Sequence, residues 1–222
     1  MSRKRSSSGY SLAALWGMLV GAGYFFFIRP QILKWGTRLG ESQRRLPGDD
    51  LIPRPNAQST RAITIDAPPE AVWPWLAQMG RDRTGWYSID MLENNGIPSA
   101  TYLHQDLPEL QVGMKLDHGY QVMAVEPNRL LIIAAYDRPN AFGTFTDVSR
   151  LYLLERQSDG STRLLIRQRA KSHGVAGEFY NLAAEPLEFL LIYRQLEGIK
   201  ARAETMAHLH TVAPLEHEIS LN

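Results

Sequence analysis

Between residues 114 and 171 the chain repeats one short theme, apolar side chains at alternate positions interrupted by brief stretches of turn chemistry. The alternation places strands at Met114–Asp117, Tyr120–Val125, Arg129–Tyr136, Thr146–Arg156 and Ser161–Lys171. The connectors "HG", "EPN" and "SDGS" are far too short to carry a crossover helix, so strands that abut in this way pair as hairpins. An antiparallel meander with one apolar face is not stable alone in water, and another part of the chain has to cover it.

That cover follows directly. Phe189, Ile192, Leu196, Ile199, Ala203 and Met206 recur at steps of three and four. They form an apolar stripe along a helix from about Glu185 to His208, with Pro186 in its first turn and a shorter helical piece over 176–184 ahead of it. Upstream, "RAITID" alternates Ile63 and Ile65 against Thr64 and Asp66 and reads as one more strand. It leads into a helix from Pro69 to about Gly80, which Pro74 must kink or shorten. A second short helix follows, with Ser88 as its cap and Asn95–Gly96 as its terminator.

Strand, two short helices, antiparallel meander and long C-terminal helix make an α+β order. It resembles the helix-grip fold of the SRPBCC superfamily (START-like, Bet v 1-like), in particular its polyketide cyclase/dehydrase-type bacterial members. The likeness rests on "ITIDAPPEAVWPWLAQMG", "GWYSIDMLEN", the "VEPNRLL" hairpin and the terminal "LEGIKARAE" helix, over about residues 60–209. The resemblance implies a curved sheet wrapped around the long helix, with an apolar cavity between them and the short helices closing one end. It also implies that Pro74 and the Trp86–Tyr87 loop belong to the mouth of that pocket. Such a pocket holds a hydrophobic small molecule or lipid, or serves a cyclase/dehydratase-type enzyme acting on a polyketide-like substrate.

The N-terminus reads differently. Tyr10–Ile28 contains no charge and is flanked by Arg3, Lys4 and Arg5 before it and Arg29 and Lys34 after it. As a helix it would measure about 28 Å, near the roughly 30 Å of a bilayer core. A single-pass membrane anchor is the expectation, with the folded body on the cytoplasmic side by a slight excess of basic residues. A cleaved signal peptide and an interfacial helix are the rivals; the run lacks the small residues of the first and the polar face of the second. Gly17 and Gly21 form a GxxxG, which either brings two such helices into a weak homodimer or reflects the frequency of glycine in membrane helices. The domain organisation expected is an anchor over 1–40, a proline-rich linker over 41–60, a ligand-binding domain over 61–210 and a tail over 211–222.

Composition removes several functions. There is no cysteine, hence no disulfide, thiol nucleophile or thiolate metal site. The formal charge of +1 conceals an asymmetry: residues 1–45 hold eight of the 24 basic side chains and one of the 23 acidic ones, leaving a net −6 for the rest. An acidic body does not suit nucleic acid as a partner. No nucleophile elbow, HExxH or phosphate- or dinucleotide-binding glycine loop occurs, so neither a metal nor a cofactor is expected. His208 and His210, two apart on a helix, face different ways.

His104 with Asp106, and Asp117 with His118, are acid–imidazole neighbours of the kind a general base uses, or else a solvated loop and a hairpin turn. His173 either enters the last helix or looks into the cavity. Among the aromatics, Trp86, Tyr87 and Tyr136 are taken as ligand-binding, because their polar tips can orient an apolar ligand. In the last strand Leu164, Ile166 and Gln168 share one face, which makes Gln168 a further ligand contact. Arg163, Arg167, Arg169 and Lys171 share the other face, expected to be the solvated convex side.

Overall fold

The computed structural model describes the backbone of residues 8–219 and the side chains of residues 14–209. Five strands form one antiparallel sheet: β1 (Ala57–Ile65), β2 (Gln121–Glu126), β3 (Leu130–Pro139), β4 (Phe145–Arg156) and β5 (Thr162–Ser172), in the order β1-β5-β4-β3-β2. The hairpins of the meander account for β2 to β5, and β1 closes the sheet by pairing antiparallel with β5. Four helices precede the last one: α1 (Ser8–Gly23), α2 (Arg29–Leu33), α3 (Pro69–Ala77) and α4 (Asp90–Glu93). The last, α5, runs unbroken over Gly174–Ile219, 46 residues or about 69 Å. Curved sheet and long C-terminal helix fit a helix-grip α+β fold.

The sheet is buried on both faces. On the concave face Ile65, Val122, Leu131, Ile133, Val148, Tyr152, Leu164 and Ile166 meet Ile192, Leu196, Ile199 and Ala203 of α5, with Val72, Trp75 and Leu76 of α3 at one end. The stripe seen in the sequence is therefore the gripped face of the helix. Tyr87 packs so closely on α5 that a Cβ on Gly198 would lie 2.3 Å from the Tyr87 carbonyl oxygen. Pro74 lies inside α3, which ends three residues later at Ala77.

The convex face is not solvated. Residues 34–56, which take in most of the linker expected over 41–60, form a strap across it that buries Leu46 against Ala62, Leu130, Ile132, Leu151, Leu153 and Leu165, with Ile52 buried as well. The basic stripe lies beneath the strap. Arg163 pairs with Glu41 at 2.8 Å and Arg167 with Asp49 at 2.9 Å, while Lys171 alone of the four remains exposed. The strap was illegible because its partners for the arginines, Glu41 and Asp49, stand more than a hundred residues away in a stretch without periodicity.

The N-terminal expectation is corrected as well. Among the described residues no helix is long and apolar enough to cross a membrane. Within Tyr10–Ile28 the α-helical hydrogen bonding of α1 stops at Gly23, a π-type turn takes over at Tyr24–Ile28, and α2 has 5 residues. The far end of the apolar run is also tied to the folded body. Arg29 forks onto the Glu185 carboxylate of α5 through Nε and Nη2 at 2.6 and 2.7 Å, and Trp35 stacks edge-on against Tyr193. The single-pass anchor and the membrane localisation are thus overturned; Arg3, Lys4 and Arg5 lie outside the described residues, as do the side chains of Tyr10 and His210 and those of the tail beyond it.

Two smaller differences concern the meander and the last helix. Met114–Asp117 is not a strand: Lys115 makes one isolated bridge to Gln121, and the chain turns through Asp117–Gly119 with His118 in the left-handed region at φ 58°. The helical piece over 176–184 and the long helix are one element, because Pro186 does not interrupt α5.

Candidate functional site

One end of the concave core is open. Where β4 begins and β3 and β5 end, the sheet and the first half of α5 diverge and leave a cavity of about 470 Å³. Its walls are apolar along β1, β4, β5 and α5 (Ala57, Val148, Ala170, Ala184, Leu187, Leu191) and are closed by Trp86 and Leu92. Polar groups gather at the mouth and on the floor: Asn140, Thr146 and Asn181, then His118, Tyr120, Arg138 and Arg150, with Glu93 and Glu188.

Most of these polar groups are spent on one another. Asn140 Nδ2 donates to the Thr144 and Thr146 hydroxyls, Thr146 bonds Ser172 at 2.6 Å, and the Ser172 hydroxyl donates to Asn181 Oδ1. Asn181 in turn donates to Asn56 in the strap. Glu188 faces the buried Arg61 at 3.5 Å, and Ser88 donates to the carboxylate of Glu93. Tyr152, fully buried beneath the cavity floor, donates to Gln195 Oε1 at 3.0 Å; burial pushes its hydroxyl pKa up to about 12, so it stays a neutral phenol.

Arg150 sits at the centre of the floor, 8 % exposed, on the inward face of β4 between Val148 and Tyr152. Its Nε and Nη2 both donate to Gln168 Oε1 at 2.9 and 2.8 Å, and Nη1 donates more weakly to Tyr152 at 3.4 Å. The Tyr120 ring has a guanidinium on either hand, Arg150 at 5.6 Å and Arg138 at 5.2 Å.

Of the four residues expected to bind a ligand, Trp86 and Gln168 line the cavity and Tyr87 and Tyr136 do not. Trp86 is a packed wall rather than a rim residue: it is 1 % exposed, its indole donates to Asp117 Oδ2 at 2.8 Å, and its carbonyl accepts from Gln195. Tyr87 points the other way. Its hydroxyl bonds Gln78 and Thr84, its ring meets Trp75 edge-on, and Arg202 of α5 lies 4.6 Å over it. Burial raises the pKa of that hydroxyl as well. Tyr136 is 47 % exposed, because it shares the even-numbered, outward parity of Leu130 and Ile132 and lies in the bulge between Ala135 and Arg138.

The histidines separate too. His118 lines the cavity with its Nε2 3.3 Å from Asp117 Oδ2, and Arg81 donates to that same Nε2 at 2.8 Å. His104 is exposed and stacked on Tyr102 away from the cavity, and His173 is half-exposed beside Asp147. Among the described residues no group of three or more His, Asp or Glu is placed to hold a metal ion. Sequence reasoning missed Arg150 and Tyr120. The signal for Arg150 was present, since the alternation Val148, Arg150, Tyr152, Leu154 puts a cation at an inward position.

No family model matches the chain, and no curated protein matches it. Similar solved structures include a protein from Nitrosospira multiformis, 13% identical, covering 65% of this chain and 94% of its own, with a TM-score of 0.45. A Mesorhizobium loti protein is 15% identical over 64% of this chain and 96% of its own, with a TM-score of 0.41. DynU16, a protein of the dynemicin biosynthetic locus, is 14% identical over 63% of this chain and 46% of its own, with a TM-score of 0.39. Likenesses this distant carry no functional argument, and the architecture rests on the strand order and helix placement above.

Proposed function

We propose that the chain is a binding module for a hydrophobic small molecule, held in the cavity between the sheet and the first half of α5. The observation that carries this reading is the cavity itself. About 470 Å³ is left between the sheet and the first half of α5, and its size and its apolar side chains with converging polar groups suit a small-molecule site. The resemblance to SRPBCC domains supports the same reading.

A second reading, a cyclase/dehydratase-type enzyme in the same cavity, is favoured by one observation, His118 on the wall beside Asp117. Arg81 donates to the imidazole Nε2 at 2.8 Å and lies 3.4 Å from Nδ1, so in the neutral ring Nδ1 carries the proton and is the group that could donate it. His118→Asn would separate the two readings: an enzyme loses turnover with binding unchanged, whereas a binder has no turnover to lose.

The test of binding uses a neutral fluorescent hydrophobic probe and a variant that fills the space. Ala184 lines the cavity from α5 and is only partly buried, so Ala184→Trp occupies the volume without opening the core. The probe should bind the wild-type chain, and Ala184→Trp should weaken it at least about tenfold with its melting temperature held. Equal probe binding by both proteins would place the probe elsewhere and sink the proposal.

A further inference from the structure

Resting on that reading, we infer that the ligand is an amphipathic carboxylic acid whose head group seats on Arg150. Four arginines are buried among the described residues: Arg61, Arg150, Arg163 and Arg167. Three have a carboxylate, Glu188, Glu41 and Asp49 respectively. Arg150 alone has no carboxylate within ion-pair distance among the described residues, Glu93 on the cavity wall acting on it only at longer range, and it is the one on the cavity floor.

The donor inventory shows what is left over. A guanidinium carries five N–H groups in one plane and remains charged at any physiological pH. Arg167 uses all five, on Thr60, Asp49 and the carbonyls of Arg44, Glu41 and Ser42. Arg150 uses three, two of them converging on a single amide oxygen of Gln168. One N–H on each terminal nitrogen is left without a protein acceptor among the described residues, and that pair is the fork that matches a carboxylate. A neutral acceptor would leave the buried positive charge with only the longer-range field of Glu93 against it, and burying a charge without a contacting counter-ion is costly.

The geometry of the rest of the cavity agrees. Val148, Ala170, Ala184, Leu187 and Leu191 give an apolar sleeve above the cation, suited to an alkyl or polycyclic tail. Of the two carboxylates that share the cavity, Glu188 faces Arg61 and Glu93 accepts from Ser88 while keeping its charge, and Arg138 supplies a second positive group beside the Tyr120 ring. Gln168 acts as a positioning residue: by holding Nε and Nη2 it fixes the plane of the guanidinium.

The experiment compares dodecanoate with dodecanol as competitors of the neutral probe, on the full chain, at neutral pH. In the wild type the acid should compete at least about tenfold better than the alcohol, the scale of one charge-assisted hydrogen bond. Arg150→Met should abolish that preference, read as the ratio of acid to alcohol competition within the variant, and Arg150→Lys should restore part of it. Equal competition by acid and alcohol in the wild type overturns the inference and leaves the binding proposal standing. A preference for the acid that survives in Arg150→Met also overturns it, by placing the head group elsewhere. If neither competitor nor the probe binds, both the inference and the reading beneath it fall. Should the Arg150 variants fail to fold, the wild-type comparison decides.

Discussion

Arg167 gives the sharpest test of how the convex face is built. Its side chain is 3 % exposed, and all five of its N–H groups are placed: Nε on Thr60, Nη1 on Asp49 and the Arg44 carbonyl, Nη2 on the carbonyls of Glu41 and Ser42. Arg167→Met keeps the bulk and removes every one of these bonds. Deleting one partner of a buried ion pair costs about 3–5 kcal/mol. Asp49 would still accept from the Leu46 backbone N–H at 2.9 Å and face Arg169 at 3.3 Å, so the lower end, about 3 kcal/mol, is expected. For a chain of this size each kcal/mol moves the melting temperature by about 2–4 °C, which predicts a drop of about 6–12 °C. The control is Lys171→Met on the same strand face, where the exposed side chain should change stability by less than about 0.5 kcal/mol. Thermal and urea unfolding of the two variants read the difference. Were Arg167→Met no worse than Lys171→Met, the strap would not be bound to the sheet, and the free linker that composition suggests over 41–60 would stand.

Two further outcomes follow from the same packing. Burial works to raise the Glu41 pKa, but the hydrogen bonds and charge of Arg163 outweigh it and hold the carboxyl below the usual range. A depressed folded-state pKa gives stability that is present above the unfolded value near 4.3 and lost as pH falls through the folded one, so Glu41→Gln should be less stable than wild type at pH 7 and converge with it in acid below about pH 4. A gap that stays constant across that range would assign its cost to something other than the ion pair. Gly198→Ala should destabilise by about 1–3 kcal/mol, since its Cβ would meet the Tyr87 carbonyl at 2.3 Å. The usual gain for glycine to alanine within a helix, about 1 kcal/mol, would instead appear in denaturant melts if the Tyr87 loop were not seated on α5.

The sequence by itself determined the hairpin order of the last four strands, the strand ahead of α3, and the face that α5 turns to the core. Each is written in a local period, two for strands and three to four for helices, and periodicity needs no partner to be read. Parity along β4 and β5 also held enough to put Arg150 and Gln168 on the inward face. What only the tertiary structure decided is which neighbours those positions meet. The arginines of β5 look like a solvated stripe until Glu41 and Asp49 arrive from the far end of the chain, and the apolar N-terminal run looks like a membrane span until Arg29 clasps Glu185 on α5. Trp86 and Tyr87, adjacent in sequence, part company because Tyr87 takes a left-handed backbone at φ 58° and turns its ring to α3 and α5, while Trp86 closes the cavity. Pairings between residues a hundred or more apart leave no local pattern, since their energy exists only once the chain has closed on itself.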